Sequence, residues 1–165
     1  AGELDPQVSE LFPGSLRGVV PQGWMRRWDA RGRVSHRPLA CDAEVLRHAD
    51  VLVISTEDVN HNVSLARCYA ETVRTVVLTR GQHGADLYHE GQVTHLRPRS
   101  AQQIDPTGAG DTFTAAFLIY FSETGDPVRA ARFANVAASF VVEGLSYSTT
   151  PTRAQVEAYL AEHGW

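Results

Sequence analysis

Short runs of β-branched and aliphatic residues alternate along the chain with stretches in which apolar residues recur at helical spacing. Residues 19–20, 51–54 and 76–79 form three such runs and predict buried strands. Residues 62–72 carry apolar side chains at helical spacing, and so does the stretch after Asp42, which is a candidate helix cap. Strands that alternate with helices predict an α/β domain with a mainly parallel sheet.

The second half of the chain predicts a hairpin followed by three helices. Glu90 and Gly91 separate two alternating segments, residues 85–89 and 92–96, and a glycine at that position suits a tight turn. Turn and cap signals then delimit the remaining elements. We expect a surface loop or short hairpin over residues 26–37, and helices over residues 110–121, from Asp126-Pro127 to about residue 142, and from the Thr152–Gln155 capping box onward.

Composition limits the classes of protein that the chain can represent. Its 165 residues, 43% of them hydrophobic, predict one domain over residues 1–165 with a sizeable core. The net charge of -4 is scattered along the chain, whereas nucleic-acid binding needs clustered Lys and Arg. No apolar run approaches the ~20 residues of a membrane span. We therefore expect a cytoplasmic protein with neither a nucleic-acid nor a membrane partner.

The cysteines and histidines give no signal for a metal site. Cys41 and Cys68 are the two cysteines, and we expect both to be reduced thiols, with a disulfide or a catalytic thiol as the alternatives. The seven histidines show none of the spacings that are typical of zinc sites.

The strongest chemical signal is the string Asp-Pro-Thr-Gly-Ala-Gly-Asp-Thr-Phe at residues 105–113. Its three small residues lead into a predicted helix, where a ligand can approach the backbone closely. The first N–H groups of a helix have no partner within it, and with the helix dipole they favour an anion. Asp111 lies at the same place and could accept a proton from an attacking hydroxyl. The alternative is that Asp111 only caps the helix.

The whole string resembles the second signature of the PfkB, or ribokinase-like, family of carbohydrate kinases. The resemblance implies a three-layer α/β fold with helices on both faces of the sheet. It implies transfer of the γ-phosphate of ATP, with Mg²⁺, to an alcohol group of a sugar, polyol or nucleoside. In that family the carboxylate matching Asp111 is the catalytic base, and the amides matching Gly108, Ala109, Gly110 and Asp111 form the anion hole.

Weaker matches follow in the family's order. The turn after the third strand resembles the T-x-G-x-x-G turn that lies along the ATP phosphates, although an ordinary turn explains it as well. A helix asparagine and the loop 143–151 match family positions near the adenine, and the loop is one residue longer here. The residues that the resemblance assigns to nucleotide binding are Thr79, Gly81, Gly84, Asn135, Gly144 and Ser148.

Four residues match family positions associated with metal ions. Asp105 and Thr107 match positions that hold a monovalent cation such as K⁺, with turn chemistry as the alternative. The family usually has N-x-x-E after the strand that ends here at residue 54, and this chain has Ser-Thr-Glu-Asp. The resemblance implies that Glu57 and Asp58 help to organise Mg²⁺ with altered geometry, unless they only form an exposed acidic loop.

The resemblance covers only the C-terminal half of the family's pattern. We therefore expect a truncated version that lacks the N-terminal strands and the lid, and that is inactive alone if the substrate pocket is missing. Such a chain would expose a sheet edge, which a homodimer could cover. A non-catalytic nucleotide-binding module is the second hypothesis. A dehydrogenase-like dinucleotide binder is disfavoured because no G-x-G-x-x-G opens a βα unit. The phosphate acceptor is not identified by the sequence.

Overall fold

A computed structural model describes residues 5–164 of the chain and has a mixed α/β fold. Short 3₁₀ helices at Pro6–Leu11, Pro21–Gly23 and Gly81–His83 join the longer elements. The strands are β1 (Gly18–Val19), β2 (Arg26–Trp28), β3 (Val34–His36), β4 (Val51–Ser55), β5 (Thr75–Thr79), β6 (Ala85–His89) and β7 (Gln92–Leu96). The helices are α1 (Glu44–Arg47), α2 (Ser64–Tyr69), α3 (Ala109–Thr124), α4 (Pro127–Val141) and α5 (Arg153–Glu162).

The central sheet has five strands in the order β1-β4-β5-β6-β7. Strands β1 and β4 run parallel, with Gly18 opposite Val51 and Val19 opposite Leu52. Strands β2 and β3 form a separate antiparallel pair, so the expected hairpin within residues 26–37 is confirmed. The two-residue strand β1 lies at one edge of the sheet. A homodimer that covers an edge stays a prediction.

The chain divides into two compact units. The first contains the described residues up to Leu78 together with Tyr88–Gln92, and the second contains Thr79–Leu87 and the described residues from Val93 onward. A single domain over the whole chain therefore stays a prediction. The core of the first unit is formed by buried side chains of β4, β5, α1 and α2, and its members include Leu52, Ile54, Val76, Leu78, Val45, Leu46, Ala66 and Tyr69.

The core of the second unit lies among its three long helices. Phe133, Val136 and Ala137 of α4 are buried against Val156 of α5, and Tyr120 of α3 stacks on Phe133 with 4.8 Å between the ring centroids. Burial of these apolar faces accounts for most of the stability that helices of this length need. Among residues 5–164, no helix has both the length and the apolar character needed to cross a membrane.

Local cap and turn signals placed several elements correctly. Asp126 accepts hydrogen bonds from the Val128 and Arg129 amides at the start of α4, and Thr152 and Gln155 form the expected capping box of α5. Glu90 and Gly91 both have positive φ, as a two-residue hairpin turn requires. The expected cap at Asp42 is wrong, because α1 begins after Ala43 without a side-chain cap. Helix α2 has six residues and is shorter than predicted.

The expectation of two reduced thiols is also wrong, since Cys41 and Cys68 form a disulfide. Their Cα atoms are 5.8 Å apart, within the range that a disulfide spans. The segment around Cys41 is held against α2 by further contacts: the Tyr69 hydroxyl donates to the Leu39 carbonyl at 3.0 Å, and the Thr72 hydroxyl donates to the Cys41 carbonyl at 3.2 Å. These long-range contacts have no signature in the local sequence. Since disulfides persist in oxidising environments, the cytoplasmic location stays a prediction.

Candidate active site

A cavity of about 520 Å³ lies within the second unit. Its walls come from the turn after β5, the segment between β7 and α3, the start of α3, and α4. These walls include residues of the Thr79–Gly84 turn, of the start of α3 and of α4 that the sequence analysis selected separately. They are Thr79, Gly81, Gly84, Ala109, Gly110 and Asn135.

Gly108 is the N-cap residue of α3 and directly precedes its first residue, Ala109. It adopts the left-handed conformation, with a φ of 82°, and a Cβ added there would meet no atom within 4 Å. Conformation rather than crowding therefore favours glycine at this position. The Ala109 amide donates to the Pro106 carbonyl at 3.2 Å. The amides of Gly110 and Asp111 lie in the first turn, where N–H groups have no acceptor within the helix, and are available to an anion.

Asp111 presents its carboxylate to solvent in the first turn of α3. Within residues 5–164, its side chain makes no hydrogen bond or ion pair. The preceding residue, Gly110, lines the cavity. Asp111 is therefore neither packed in the core nor distant from the cleft, and its side chain does not cap its own helix. The arrangement leaves the Asp111 carboxylate without a partner beside the amides of the first turn of α3.

The turn Thr79–Gly84 forms a second wall of the cavity. The Arg80 amide donates to the Gly84 carbonyl at 2.8 Å and closes the turn. Gly84 has a φ of 84°, and a Cβ there would overlap the carbonyl oxygen of Leu96 at the end of β7. Both backbone conformation and close packing thus require glycine at this position. The backbone of the turn consequently lies directly on the cavity.

Asn135 is buried on α4 and faces the same cavity. Its side-chain amide donates to the Arg97 carbonyl at 2.6 Å. This bond ties α4 to the segment that follows β7, so Asn135 supports the wall as well as lining it.

Gly144 and Ser148 do not line this cavity. A Cβ at Gly144 would press on the side chains of Ser148 and Thr149, so the loop after α4 folds tightly back at that point. Ser148 is exposed, and its amide donates to the Leu145 carbonyl at 3.2 Å. The structure therefore does not bring these two predicted nucleotide-binding residues together with the other four, which line the cavity.

Asp105 is engaged by backbone donors. One carboxylate oxygen accepts from the Thr107 amide and the other from the Ser146 amide, each at 3.0 Å. Hydrogen bonding by Thr107, and then by Ser146, holds the pKa of Asp105 below its ordinary value. Asp105 thus joins the loop before α3 to the loop after α4. These contacts match the alternative in which Asp105 stabilises a turn. Across the described residues, no cluster of three or more His, Cys, Asp or Glu could hold a metal ion.

Glu57 and Asp58 belong to the first unit and follow β4. One oxygen of the Asp58 carboxylate accepts from the Ser55 amide at 2.9 Å and from the Ser55 hydroxyl at 2.8 Å. The Glu57 side chain is exposed. Mg²⁺ usually keeps several waters and takes only one or two protein carboxylates. Glu57 fits such a water-mediated role, whereas the Asp58 carboxylate is mainly engaged in closing its own turn.

Sequence reasoning missed Arg99, which lines the cavity, and its partner Glu143. The two side chains form an ion pair with a nitrogen-to-oxygen distance of 3.0 Å. A lone arginine in an irregular segment gives no sequence signal for such a contact, because its partner lies far along the chain.

Comparison with known proteins agrees with this geometry. The model of the pfkB family carbohydrate kinases matches residues 40–153. The inositol 3-kinase of Zea mays is 34% identical over 124 residues, which are 71% of this chain and 31% of that protein. The ribokinase of Bacillus subtilis is 33% identical over 76% of this chain and 43% of its own length. The chain thus spans less than half of the length of each of these curated relatives.

Solved structures show the same fold. A ribokinase from Thermotoga maritima superposes with a TM-score of 0.76 over 94% of this chain and 52% of its own, at 23% identity. The ribokinase of Arabidopsis thaliana, solved with ribose and ATP, gives a TM-score of 0.63 at 30% identity over 71% of this chain and 42% of its own. With the family match extending over more than half of its residues, the chain belongs to the pfkB family of carbohydrate kinases.

Proposed function

We propose that this chain binds ATP in the cavity of the second unit and transfers the γ-phosphate to an alcohol group of a sugar, polyol or nucleoside. The observation that carries the proposal is that the Thr79–Gly84 turn and the start of α3 line one cavity, while the exposed Asp111 follows directly after it in the chain. The volume of about 520 Å³ falls within the usual range for small-molecule sites.

The chain's own groups suit the triphosphate part of the nucleotide. The amides of Gly110 and Asp111 and the dipole of a 16-residue helix would stabilise negative charge at the start of α3. The backbone of the Thr79–Gly84 turn would lie along the remaining phosphates. Such preorganised donors act most strongly where charge develops during phosphoryl transfer.

Asp111 would act as the general base. An oxygen of the acceptor alcohol forms the new bond to the γ-phosphorus, while the bond from that phosphorus to the β–γ bridging oxygen breaks and ADP leaves. The alcohol proton passes to the Asp111 carboxylate, which is exposed and therefore accessible to a substrate hydroxyl.

Carboxylate side chains are the donors in this chain that suit Mg²⁺ or K⁺. Mg²⁺, when bound with ATP, would neutralise charge on the phosphate oxygens. A water-mediated contact from the exposed Glu57 carboxylate to such an ion stays a prediction. K⁺ at Asp105 and Thr107 stays a prediction, because a cation there would share carboxylate oxygens that already accept two amide hydrogen bonds.

A non-catalytic nucleotide-binding module is the second candidate. The hydrogen bonds between Asp58 and Ser55 favour it, since they engage a carboxylate that the family pattern would use near the metal. Both candidate functions place ATP in the same cavity, but only the kinase transfers the γ-phosphate and releases ADP.

Titration with ATP and Mg²⁺ by calorimetry, followed by assays of ADP release with myo-inositol, D-ribose and inosine, tests both candidates. ADP release that depends on one of these alcohols supports the kinase. Saturable ATP binding without ADP release on any of them supports the binding module. Absence of ATP binding at millimolar concentrations would contradict the proposal as a whole.

A further inference from the structure

The segment between β7 and α3 forms one wall of the cavity and is held to α4 at both ends. Near its start, the Arg97 carbonyl accepts from the Asn135 side chain at 2.6 Å. Near its end, the Ile104 amide donates to the Val142 carbonyl at 2.7 Å. The residues between these two bonds include Pro98, Ser100 and Ala101, which line the cavity. The position of this stretch therefore sets the shape of the wall.

The Arg99 side chain anchors the middle of this wall. Its guanidinium pairs with the Glu143 carboxylate at 3.0 Å and lies over the Phe140 ring, with 4.0 Å to the ring centroid. The Tyr159 ring of α5 lies 5.3 Å from the same guanidinium. Only 13% of the Arg99 side chain is exposed. The side chain thus joins the wall to the C-terminal end of α4 and to α5.

Burial of the Arg99 guanidinium costs free energy unless its contacts or a bound ligand compensate for the lost hydration. Within the described part of the chain, the Nε of Arg99 is the buried side-chain nitrogen or oxygen that lacks a hydrogen-bond partner. An unsatisfied buried donor costs stability, and an apolar side chain often replaces a buried ion pair without loss. A purely structural contact between a loop and aromatic rings would not need arginine. Arg99 belongs to the segment that lines the cavity, so its ion pair and ring contacts fix the wall against which a ligand would bind.

Glu143 extends the same contact to a second loop. It directly precedes Gly144, where the chain turns tightly after α4. Asp105 holds this loop again through the Ser146 amide. The wall and the loop after α4 are therefore fixed to each other through two carboxylates, and Arg99 provides the cation for one of them.

We propose that Arg99, held by Glu143 and Phe140, is a positioning residue that shapes the cavity wall for the nucleoside part of the nucleotide. This inference rests on the proposed function. The contacts of Arg99 are with residues of α4, the loop after it and α5, and none is with residues 108–111. Loss of Arg99 will therefore weaken ATP binding and raise KM for ATP, while the phosphate-binding amides and kcat change little.

Calorimetric titration of ATP and of inorganic tripolyphosphate into matched variants tests this inference. Arg99→Met removes the charge and keeps an apolar chain, and Arg99→Lys restores the charge. Arg153→Met is the control, because Arg153 also pairs with a glutamate and lies 5.9 Å from two aromatic rings, yet it does not line the cavity. We expect Arg99→Met to weaken ATP binding at least tenfold and tripolyphosphate binding less than twofold. Arg99→Lys should recover most of the loss, and Arg153→Met should bind both like the wild type.

Equal ATP affinity in wild type and Arg99→Met, or equal losses for ATP and tripolyphosphate, would overturn the positioning role while the proposed function stands. Failure of the wild type to bind ATP would instead overturn the proposed function, and the inference with it. Glu143→Gln removes the partner charge without removing Arg99, so it keeps the test decisive if Arg99→Met does not fold. It should weaken ATP binding about three- to tenfold, and wild-type affinity would count against the inference.

Discussion

The turn after β4 and the first turn of α3 each contain an aspartate, and the two carboxylates differ in their contacts. Asp58 turns its carboxylate back onto the amide and hydroxyl of Ser55. Asp111 is exposed, and within residues 5–164 its carboxylate has no partner. A carboxylate that closes a turn stabilises the fold, whereas one left without a partner beside small residues is available to a ligand. The comparison supports the proposal that Asp111, rather than Asp58, is the carboxylate available to a substrate.

The largest effect should follow from Asp111→Asn. The amide cannot accept the alcohol proton as a carboxylate does, so we expect phosphoryl transfer to fall by about 100-fold or more, in line with the usual contribution of a general base. ATP binding should stay within about threefold of wild type, because the backbone amides are unchanged. ADP-release kinetics and calorimetry measure the two quantities, and Asp42→Asn, also an exposed aspartate, is the control. Near-normal turnover in Asp111→Asn would reject the base assignment.

Gly84→Ala should have the next largest effect, this time on stability. A Cβ there would overlap the Leu96 carbonyl oxygen and impose strain at positive φ. We expect a loss of about 3 kcal/mol or more in the free energy of unfolding. Gly81→Ala lies in the same turn at positive φ with open space around it, and it should cost about 1 kcal/mol. Urea unfolding of both variants checks the difference, and equal losses would show that crowding at Gly84 is unimportant.

Reduction of the disulfide between Cys41 and Cys68 should destabilise the first unit to a similar or smaller extent. The two cysteines are 27 residues apart, and loop-closure entropy predicts a loss of about 3 kcal/mol. Thermal unfolding with and without dithiothreitol measures it, and the Cys41→Ser/Cys68→Ser variant should be insensitive to the reductant. Two reactive thiols in the native, untreated protein would contradict the disulfide.

Asp58→Ala should give the smallest effect. Removal of the carboxylate leaves the Ser55 amide and hydroxyl without their acceptor, so we expect a loss of about 1–2 kcal/mol in stability. The Mg²⁺ concentration for half-maximal activity should change less than threefold, while Glu57→Gln should raise it more. A variant with wild-type stability that needs tenfold more Mg²⁺ would show instead that Asp58 serves the metal.

Elements fixed by neighbouring residues could be predicted from the sequence. The hairpin was placed at Ala85–His89 and Gln92–Leu96 because Glu90-Gly91 satisfies a two-residue turn, and α4 and α5 begin at their predicted caps. The start of α3 was found because small residues, a helix start and a carboxylate are contiguous in the chain. In each case the determining contacts lie within a few residues.

Features that depend on distant partners could not be predicted in this way. The disulfide requires α2 to lie against the segment around Cys41, and the ion pair of Arg99 requires the end of α4 to lie against the cavity wall. The Asp105 carboxylate accepts from the Ser146 amide, 41 residues along the chain, and no local pattern predicts that bond. Ser148 matched a family position, yet it does not line the cavity, because the loop after α4 turns back on itself at Gly144.

A crystal structure with a non-hydrolysable ATP analogue and Mg²⁺ tests the proposed nucleotide site most directly. We expect the β- and γ-phosphates within hydrogen-bond distance of the Gly110 and Asp111 amides, with the nucleoside in the cavity between the Thr79–Gly84 turn and α4. The Asp111 carboxylate should then face the γ-phosphate. A nucleotide bound elsewhere, with the start of α3 open to solvent, would contradict the account.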